Sequence, residues 1–485
     1  MATPLFDFPE FPAGFKPRSA AAVDLLLSAL LRERWAEFEA AYRTYQKLID
    51  YRPKTPEAQF ARERSEALET LIYEKALYER IDRNARRVLS TIGMNIGDSP
   101  EILQILMEAD AIDFEQASAR LVPLKADYVE HCLELVPREL AGDPGPNSFG
   151  TGGTPPFYKA NGENTLRPAN RQEFETIISE ADQWTNVVEL LSVPVQTDRS
   201  MSDYDCAVLM DKGFQGLKMI STRNMSDDEA RYLSGRDEWL DGTSLMTNLT
   251  PMSTMVRSFI RSARSGNNLL LLDLSIAGAS GPNSPEALLT HIHAQVLFMM
   301  ILAQTIRPGT VCVHGGIPGV VGPGGDLSYS SKSQALINEA MARMNLWVTG
   351  YPSAQSGGST SLSDDTDEAI EESRVNRDRM RRYGTHIIRH AFGALGNLNF
   401  FSLHKFSEDC RIETESRADF RKNAIGGLDV LPNFLPKDPQ ALQAIEEIAE
   451  RGNPMVTDHS LANVDSFAQW ENRFDQELKG LAGNG

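Results

Sequence analysis

The chain carries four cysteines in 485 residues, Cys132, Cys206, Cys312 and Cys410, and no two of them form a C-x-x-C pair. That scarcity excludes a disulfide scaffold and a cysteine-rich zinc site. Basic residues are in deficit too: 48 Lys and Arg against 67 Asp and Glu give a net charge of −19. Phosphate backbones and anionic membrane surfaces need a Lys/Arg-rich face, so neither nucleic acid nor membrane is expected as a partner. No uninterrupted apolar run approaches the roughly eighteen residues of a membrane span. The longest, LLLLDLSIAGA and VLFMMILAQTI, lie mid-chain. The N-terminus, MATPLFDFPEFPAGFKPRSA, sets acids and prolines ahead of any apolar segment, unlike a secretory signal, so a cytoplasmic location is expected. Nucleotide signatures are missing as well. No G-x-G-x-x-G follows a strand, and GGIPGVVGPGGDLS lacks a Walker-A ending, which makes it a long loop.

What remains is an ordinary globular composition, 41% hydrophobic and 24% charged, enough for a sizeable core. The length admits up to three domains or one large barrel with additions. Apolar residues recur at helical spacing over 21–48, at Leu25, Leu26, Leu30, Trp35, Phe38, Tyr42, Tyr45 and Leu48. A second helical run covers 56–92, with Gly93 as its C-cap before a short extended piece. SPEILQILMEADA is a third, with Ser99 as N-cap and Pro100 at the first position. Residues 1–145 therefore read as a helical N-terminal region.

Beyond GDPGPNSFGTGGTPPF the pattern changes. Eight candidate strands, SFGTG, VVELLSV, GLKMIS, SLMTNL, LLLLDLSI, TVCVHG, LWVTGY and LNFFSL, alternate with helical stretches at 170–183, 202–212, 226–239, 253–265, 285–306, 332–344, 367–393 and after Glu415. The α/β period and span fit a (β/α)8 TIM barrel over 146–485, closed by a C-terminal helical segment. A doubly wound open sheet is the alternative.

In a barrel the chemistry lies on the loops after the strands. Those loops offer Phe157, Gln196, Arg223, His314, Tyr329, Tyr351, Gln355 and His404 as substrate-binding candidates. They are poor in carboxylates and rich in Gly, Ser, Thr and Gln with a few aromatics. Such a mouth suits a small polar or cationic ligand better than metal-assisted hydrolysis. Cys312 and His314 share one strand face without a third ligand nearby, so no metal is expected. His291 and His293 do not share a helix face and read as structural. No nucleophile triad can be assembled, and no catalytic residue is assigned. From the residues alone, the reading ends at a barrel enzyme acting on a small molecule.

Several stretches go further. GTGGTPPF (150–157) with NTLRPANRQEF, SVPVQTD (192–198), LTPMSTM (249–255), the long run from LLLLDLSIAGASGP to VCVHGG, SYSSKSQALINEAMARM (328–344) and VTDHSLANVDSF (456–467), with His459 at a matched position, occur in an order that resembles the trimethylamine:corrinoid methyltransferase superfamily. GYPSAQSGGSTSLSDD holds only ordinary residues where pyrrolysine members differ, so the resemblance is to a non-pyrrolysine member. It implies methyl transfer from a quaternary or tertiary methylamine to Co(I) of a separate corrinoid protein, with no tightly bound cofactor. Glycine betaine is the expected donor, and trimethylamine, carnitine or proline betaine are the alternatives. A metal-dependent barrel lyase or hydrolase, or a binding protein without catalysis, are readings of other classes. A quaternary ammonium leaves as a neutral amine without a general acid, so the enzyme's task is placement. A betaine carboxylate would call on Arg223, His314 or His404. The aromatic arm FDFPEFPAGF could dock on a second subunit of a homo-oligomer.

Overall fold

In the computed structural model the described residues run from 20 to 423, apart from 35, 116, 119, 141–147, 161–165, 322–326 and 383–385. The aromatic arm and His459 lie outside them.

Two compact units are present. The first comprises the described residues up to Arg80 together with those from Glu415 onward. It contains helices α1 (Ala20–Arg34), α2 (Phe38–Tyr51) and most of α3 (Pro56–Arg87). Leu26, Leu30, Phe38, Tyr45, Leu48 and Leu68 are buried there, and Arg64 pairs with Glu33 at 2.6 Å.

The second unit runs from Ile81 to Thr414. The end of α3 passes through a wider turn, Val88–Ile92, to Gly93, whose φ of 82° ends the helix before a two-residue strand, Met94–Asn95. A Cβ at Gly93 would stand 2.3 Å from the Pro123 backbone, so glycine is required there on two counts. Helices α4 (Pro100–Glu108) and α5 (Ala126–Leu135) follow.

Eight parallel strands then close a barrel: β1 (Ser148–Gly150), β2 (Val188–Ser192), β3 (Leu217–Ile220), β4 (Trp239–Thr243), β5 (Leu269–Asp273), β6 (Cys312–Gly316), β7 (Ser353–Ser356) and β8 (Ile387–Arg389). Closure is between β8 and β1, where Ile387 pairs with Ser148. The intervening helices are α6 (Arg171–Gln183), α7 (Asp203–Gly213), the short α8 (Asp227–Ala230), α9 (Ser253–Ser265), α10 (Pro285–Ile306), α11 (Lys332–Met344) and α12 (Asp367–Arg382), and α13 (Leu403–Asn423) follows β8. This is the (β/α)8 barrel that the sequence pattern implied.

Local chemistry explains where the helices start. Asn170, Ser202 and Ser226 each close a reciprocal capping box with Glu173, Asp205 and Glu229. Ser284 caps α10 ahead of Pro285, and Gly266 ends α9 in the left-handed region. Helix α10 is apolar all round because it is buried from Glu286 to Gln304. By length and composition alone it could cross a membrane; here it is a core helix.

Three strands lie elsewhere than the apolar runs indicate. The fourth is Trp239–Thr243, not SLMTNL; Leu245, Met246 and Leu249 are buried, but in a small hairpin, Met246–Thr247 with Thr250–Pro251, beyond the strand end. The seventh is Ser353–Ser356, not LWVTGY: Asn345–Thr349 continues α11 as a widened helical turn, and Gly350 (φ 70°) terminates it. The eighth is Ile387–Arg389, inside the stretch read as helix 367–393. LNFFSL does form a strand, Phe400–Ser402, but it pairs with Phe157–Lys159 and Ala394–Leu395 outside the barrel.

Candidate functional site

Alternation along the strands sorts the barrel's side chains. Leu190, Leu217, Met219, Leu240, Leu270, Val313, Ala354 and Ile387 pack together as the inner core. The same parity puts Ser148, Gly150, Ser192, Gly242, Leu272, Gly315, Ser356 and Arg389 on the inner face. Fifteen of these sixteen are apolar, glycine or serine. Arg389 is the single charge.

Its guanidinium is fully buried. Nε donates to the Ala354 carbonyl at 3.2 Å and Nη2 to the Gly316 carbonyl at 3.0 Å. No carboxylate among the described residues pairs with the group. Burial pushes its pKa down to about 9, which still leaves it charged at neutral pH. A buried cation without a counter-ion is costly unless something supplies the negative charge.

His390 follows at the strand end with φ 59°, a left-handed conformation that a non-glycine side chain seldom adopts. It too is fully buried. Nδ1 stands 2.8 Å from Ser356 Oγ on the adjacent strand, and Nε2 has no partner. The ring lies against Gly152 and Gly153, where added Cβ atoms would meet Nε2 at 3.0 and 3.1 Å. Burial first, and the Arg389 charge second, hold its pKa well below the usual histidine range, so the ring is neutral.

Two three-stranded sheets on the loops beyond the strand ends roof this cluster. One joins Ile276–Ala277, Gly319–Val321 and Leu327–Ser328; the other joins Phe157–Lys159, Ala394–Leu395 and Phe400–Ser402. The β8 loop ties them. Asn397 Oδ1 accepts from the Tyr329 amide at 3.1 Å, and the Asn399 carbonyl accepts from the Phe157 amide at 3.3 Å. Lys159 and Asp364 form an ion pair on the same rim.

The other candidates divide accordingly. Phe157 and Tyr329 are half-buried in the mouth loops, Phe157 stacked on Phe400 with centroids 6.0 Å apart. Gln196, Arg223 and His404 are exposed. His314 points away from the lumen: Nε2 lies 3.0 Å from His293 Nδ1 on α10. Gln355 faces outward too, donating to Ser353 Oγ at 3.0 Å and to the His314 carbonyl at 3.3 Å. Both positions are outer because they share parity with Ser353 and Cys312. Tyr351 precedes β7, so it belongs to the opposite end of the barrel, with Arg138 stacked 3.9 Å from its ring centroid. An aromatic enclosure of Phe157, Tyr329 and Tyr351 is therefore not formed. His314, Gln355 and Tyr351 are removed from the lumen.

Arg389 and His390 are the residues the sequence reading missed. The signal was THIIRHAF, an adjacent pair of isoleucines followed by an arginine and a histidine, which comes directly after a strongly helical pattern. No group of three or more His, Cys, Asp or Glu side chains that could hold a metal occurs among the described residues.

The fold is a (β/α)8 barrel, and the Arg389, His390 and Ser356 cluster lies at the C-terminal ends of its strands. The chain belongs to the trimethylamine methyltransferase (MTTB) family, whose model matches residues 50–475. It is a methyltransferase of that family, as the ordered motifs implied. It is 24% identical over 413 residues to the glycine betaine methyltransferase of Desulfitobacterium hafniense (strain Y51), covering 79% of this chain and 82% of the relative. Among solved structures, the monomethylamine methyltransferase of Methanosarcina barkeri matches with a TM-score of 0.46 at 10% identity, over 83% of this chain and 87% of that one. The dihydropteroate synthase of Stenotrophomonas maltophilia matches at 0.32 and 11%, over 51% of this chain and 90% of that one.

Proposed function

We propose that the protein transfers a methyl group from glycine betaine to the Co(I) of a separate corrinoid protein, releasing dimethylglycine. The observation that carries the donor assignment is Arg389, the one buried charge on the inner barrel face, without a carboxylate partner. A betaine carboxylate matches it in sign and shape, since a guanidinium offers planar, paired donors. Trimethylamine carries no carboxylate and would leave the buried charge unmatched.

The remaining chemistry asks little of the protein in acid or base. The C–N bond breaks as the methyl passes to cobalt, and the electron pair stays on nitrogen as a neutral amine. The nucleophile comes from the partner, so these residues bind, orient and exclude water. A lumen with one cation and no acid fixes the carboxylate end and points the trimethylammonium away from Arg389. The half-buried Tyr329 and Phe157 in the roof provide ring surface of the kind that favours a methylated cation.

Mixing the protein with a reduced corrinoid protein and glycine betaine should convert the Co(I) spectrum to methyl-Co(III) and yield dimethylglycine. Carnitine and proline betaine, which also carry carboxylates, are tested alongside trimethylamine. Absence of cobalt methylation with every donor in that panel would overturn the reading.

A further inference from the structure

Arg389 leaves open how a carboxylate would be told apart from any other group reaching the lumen. The adjoining residue bears on this. We propose that His390 is the second donor of a carboxylate clamp with Arg389, and that Ser356 sets the tautomer which makes it a donor. The pair would select methylated amines that carry a carboxylate over those that do not. The inference rests on the betaine reading.

Four observations converge. His390 Nε2 is fully buried yet has no partner among the described residues, which is costly for a polar atom unless a ligand completes it. Its ring is held in the site by a left-handed backbone, φ 59°, a strain retained where the surroundings require the side chain to turn inward. Nδ1 lies 2.8 Å from Ser356 Oγ, and Ser356 is on the inner face of β7. With the serine hydroxyl donating to Nδ1, the neutral ring carries its proton on Nε2 and presents an N–H. Finally, the ring edge packs against Gly152–Gly153, where a Cβ at either position would come within 3.0 or 3.1 Å of Nε2, so glycine is needed there to let the ring keep its position.

The charge count fits as well. Arg389 contributes one positive charge and the neutral His390 none, so the clamp's net charge is that of one carboxylate's counter-ion.

The test compares glycine betaine with choline, which keeps the trimethylammonium and replaces the carboxylate by a hydroxymethyl group. Calorimetry on the wild-type protein should show betaine binding at least tenfold tighter. His390→Phe, which keeps ring bulk without a donor, should weaken betaine binding about tenfold and leave choline unchanged. His390→Gln, which restores an N–H, should recover most of the loss, and Ser356→Ala should weaken betaine several-fold by freeing the tautomer. Circular dichroism confirms that each variant folds, and the Gln variant covers the case in which Phe does not. Equal weakening of both ligands, or unchanged betaine affinity in His390→Phe, would overturn the clamp while sparing the betaine reading. Failure of the wild-type protein to bind betaine would overturn both.

Discussion

The Nδ1 atom of His293 lies 3.0 Å from Nε2 of His314, with the rings tilted by 30°, and the far nitrogen of His293 stands 2.9 Å from Asp82. The chain of bonds links α3, α10 and the outer face of β6. Burial, then the neighbouring His293, holds the His314 pKa well below the usual range, so its ring is neutral. Burial pushes Asp82 up, but the bonds from His293 and Arg86 outweigh it and bring its pKa down to about 2. A neutral His314 donating to His293, which in turn donates to Asp82, satisfies both nitrogens of His293 and leaves only His314 Nδ1 without a partner among the described residues.

That arrangement has a sign in pH. Unfolded, His314 titrates near 6.5, so below that pH the unfolded chain takes a proton the folded one refuses. Stability contributed by the neutral ring is present above about pH 6.5 and is lost as pH falls. His291, pushed down to about 3 by burial, and His390 act in the same direction. Asp273 acts oppositely, since burial raises it to about 7 and the folded state holds its proton while the unfolded one releases it. The difference between proteins isolates one group. Denaturation midpoints of His314→Gln and wild type, followed from pH 7 to 4.5, should give a variant curve shallower by about 1 kcal/mol per pH unit below 6.5. Parallel curves would remove His314 from the balance. Below about pH 4 a further loss should follow in both proteins, as Asp82 gains its proton.

Arg389 should separate function from stability. Replacing it with Met keeps the bulk and removes a buried, uncompensated guanidinium. Binding of a carboxylated methylamine should weaken by about 2 kcal/mol or more, a rise of roughly thirtyfold in KM, because its charged partner is gone. Folding stability should hold or increase by about 1 kcal/mol, the result expected when a buried charge gives way to an apolar chain. Urea denaturation and steady-state kinetics read the two arms. A variant both less stable and undiminished in substrate affinity would show that Arg389 is structural.

Much of the barrel is legible in the sequence because five of its strands, VELLS, SFG, LKMI, LLLLD and CVHGG, lie within the runs read as strands. The helix starts are equally plain, since Asn170, Ser202 and Ser284 each occupy an N-cap that their side chains fill. The three misplaced strands share a cause. SAQS is small and polar, and WLDGT has only two apolar residues before Asp241, Gly242 and Thr243, so neither shows the β-rich run that marks a strand and context overrides propensity. THIIRHAF escapes for a related reason: its strand holds only two apolar residues, Ile387 and Ile388, and the chain then delivers Arg389 and His390 to the lumen. The mouth residues chosen by loop position fail where strand parity decides. His314 and Gln355 are in the right strands and on the wrong face. A site that brings a buried cation and a buried neutral histidine to the lumen breaks the local rules that make other elements readable.

The loop that presents Arg389 and His390 is held from behind by a buried charged group, and this supplies the last prediction. Asp409 on α13 accepts from Lys405 Nζ at 2.6 Å, from Arg377 Nη1 at 2.9 Å and from the Gly393 amide at 2.9 Å. Arg377 also donates to the Ala391 carbonyl at 2.7 Å, so one carboxylate anchors both ends of the turn that follows His390. Lys405, Arg377 and Asp409 are all fully buried. Removing the acid would leave buried Lys405 without its carboxylate, leave Arg377 only the more distant Glu413 at 3.7 Å, and free the Gly393 amide. Asp409→Asn keeps the shape and loses the charge; it should cost about 3–5 kcal/mol of unfolding free energy, the penalty for breaking one side of a buried ion network. Lys405→Met with Asp409→Asn removes two of the charges and should cost less than the sum of the single changes, since the network acts as a unit. Chemical denaturation of the single and double variants measures the coupling. A loss below about 1 kcal/mol in Asp409→Asn would mean that the turn, and the His390 conformation it imposes, is held by packing alone.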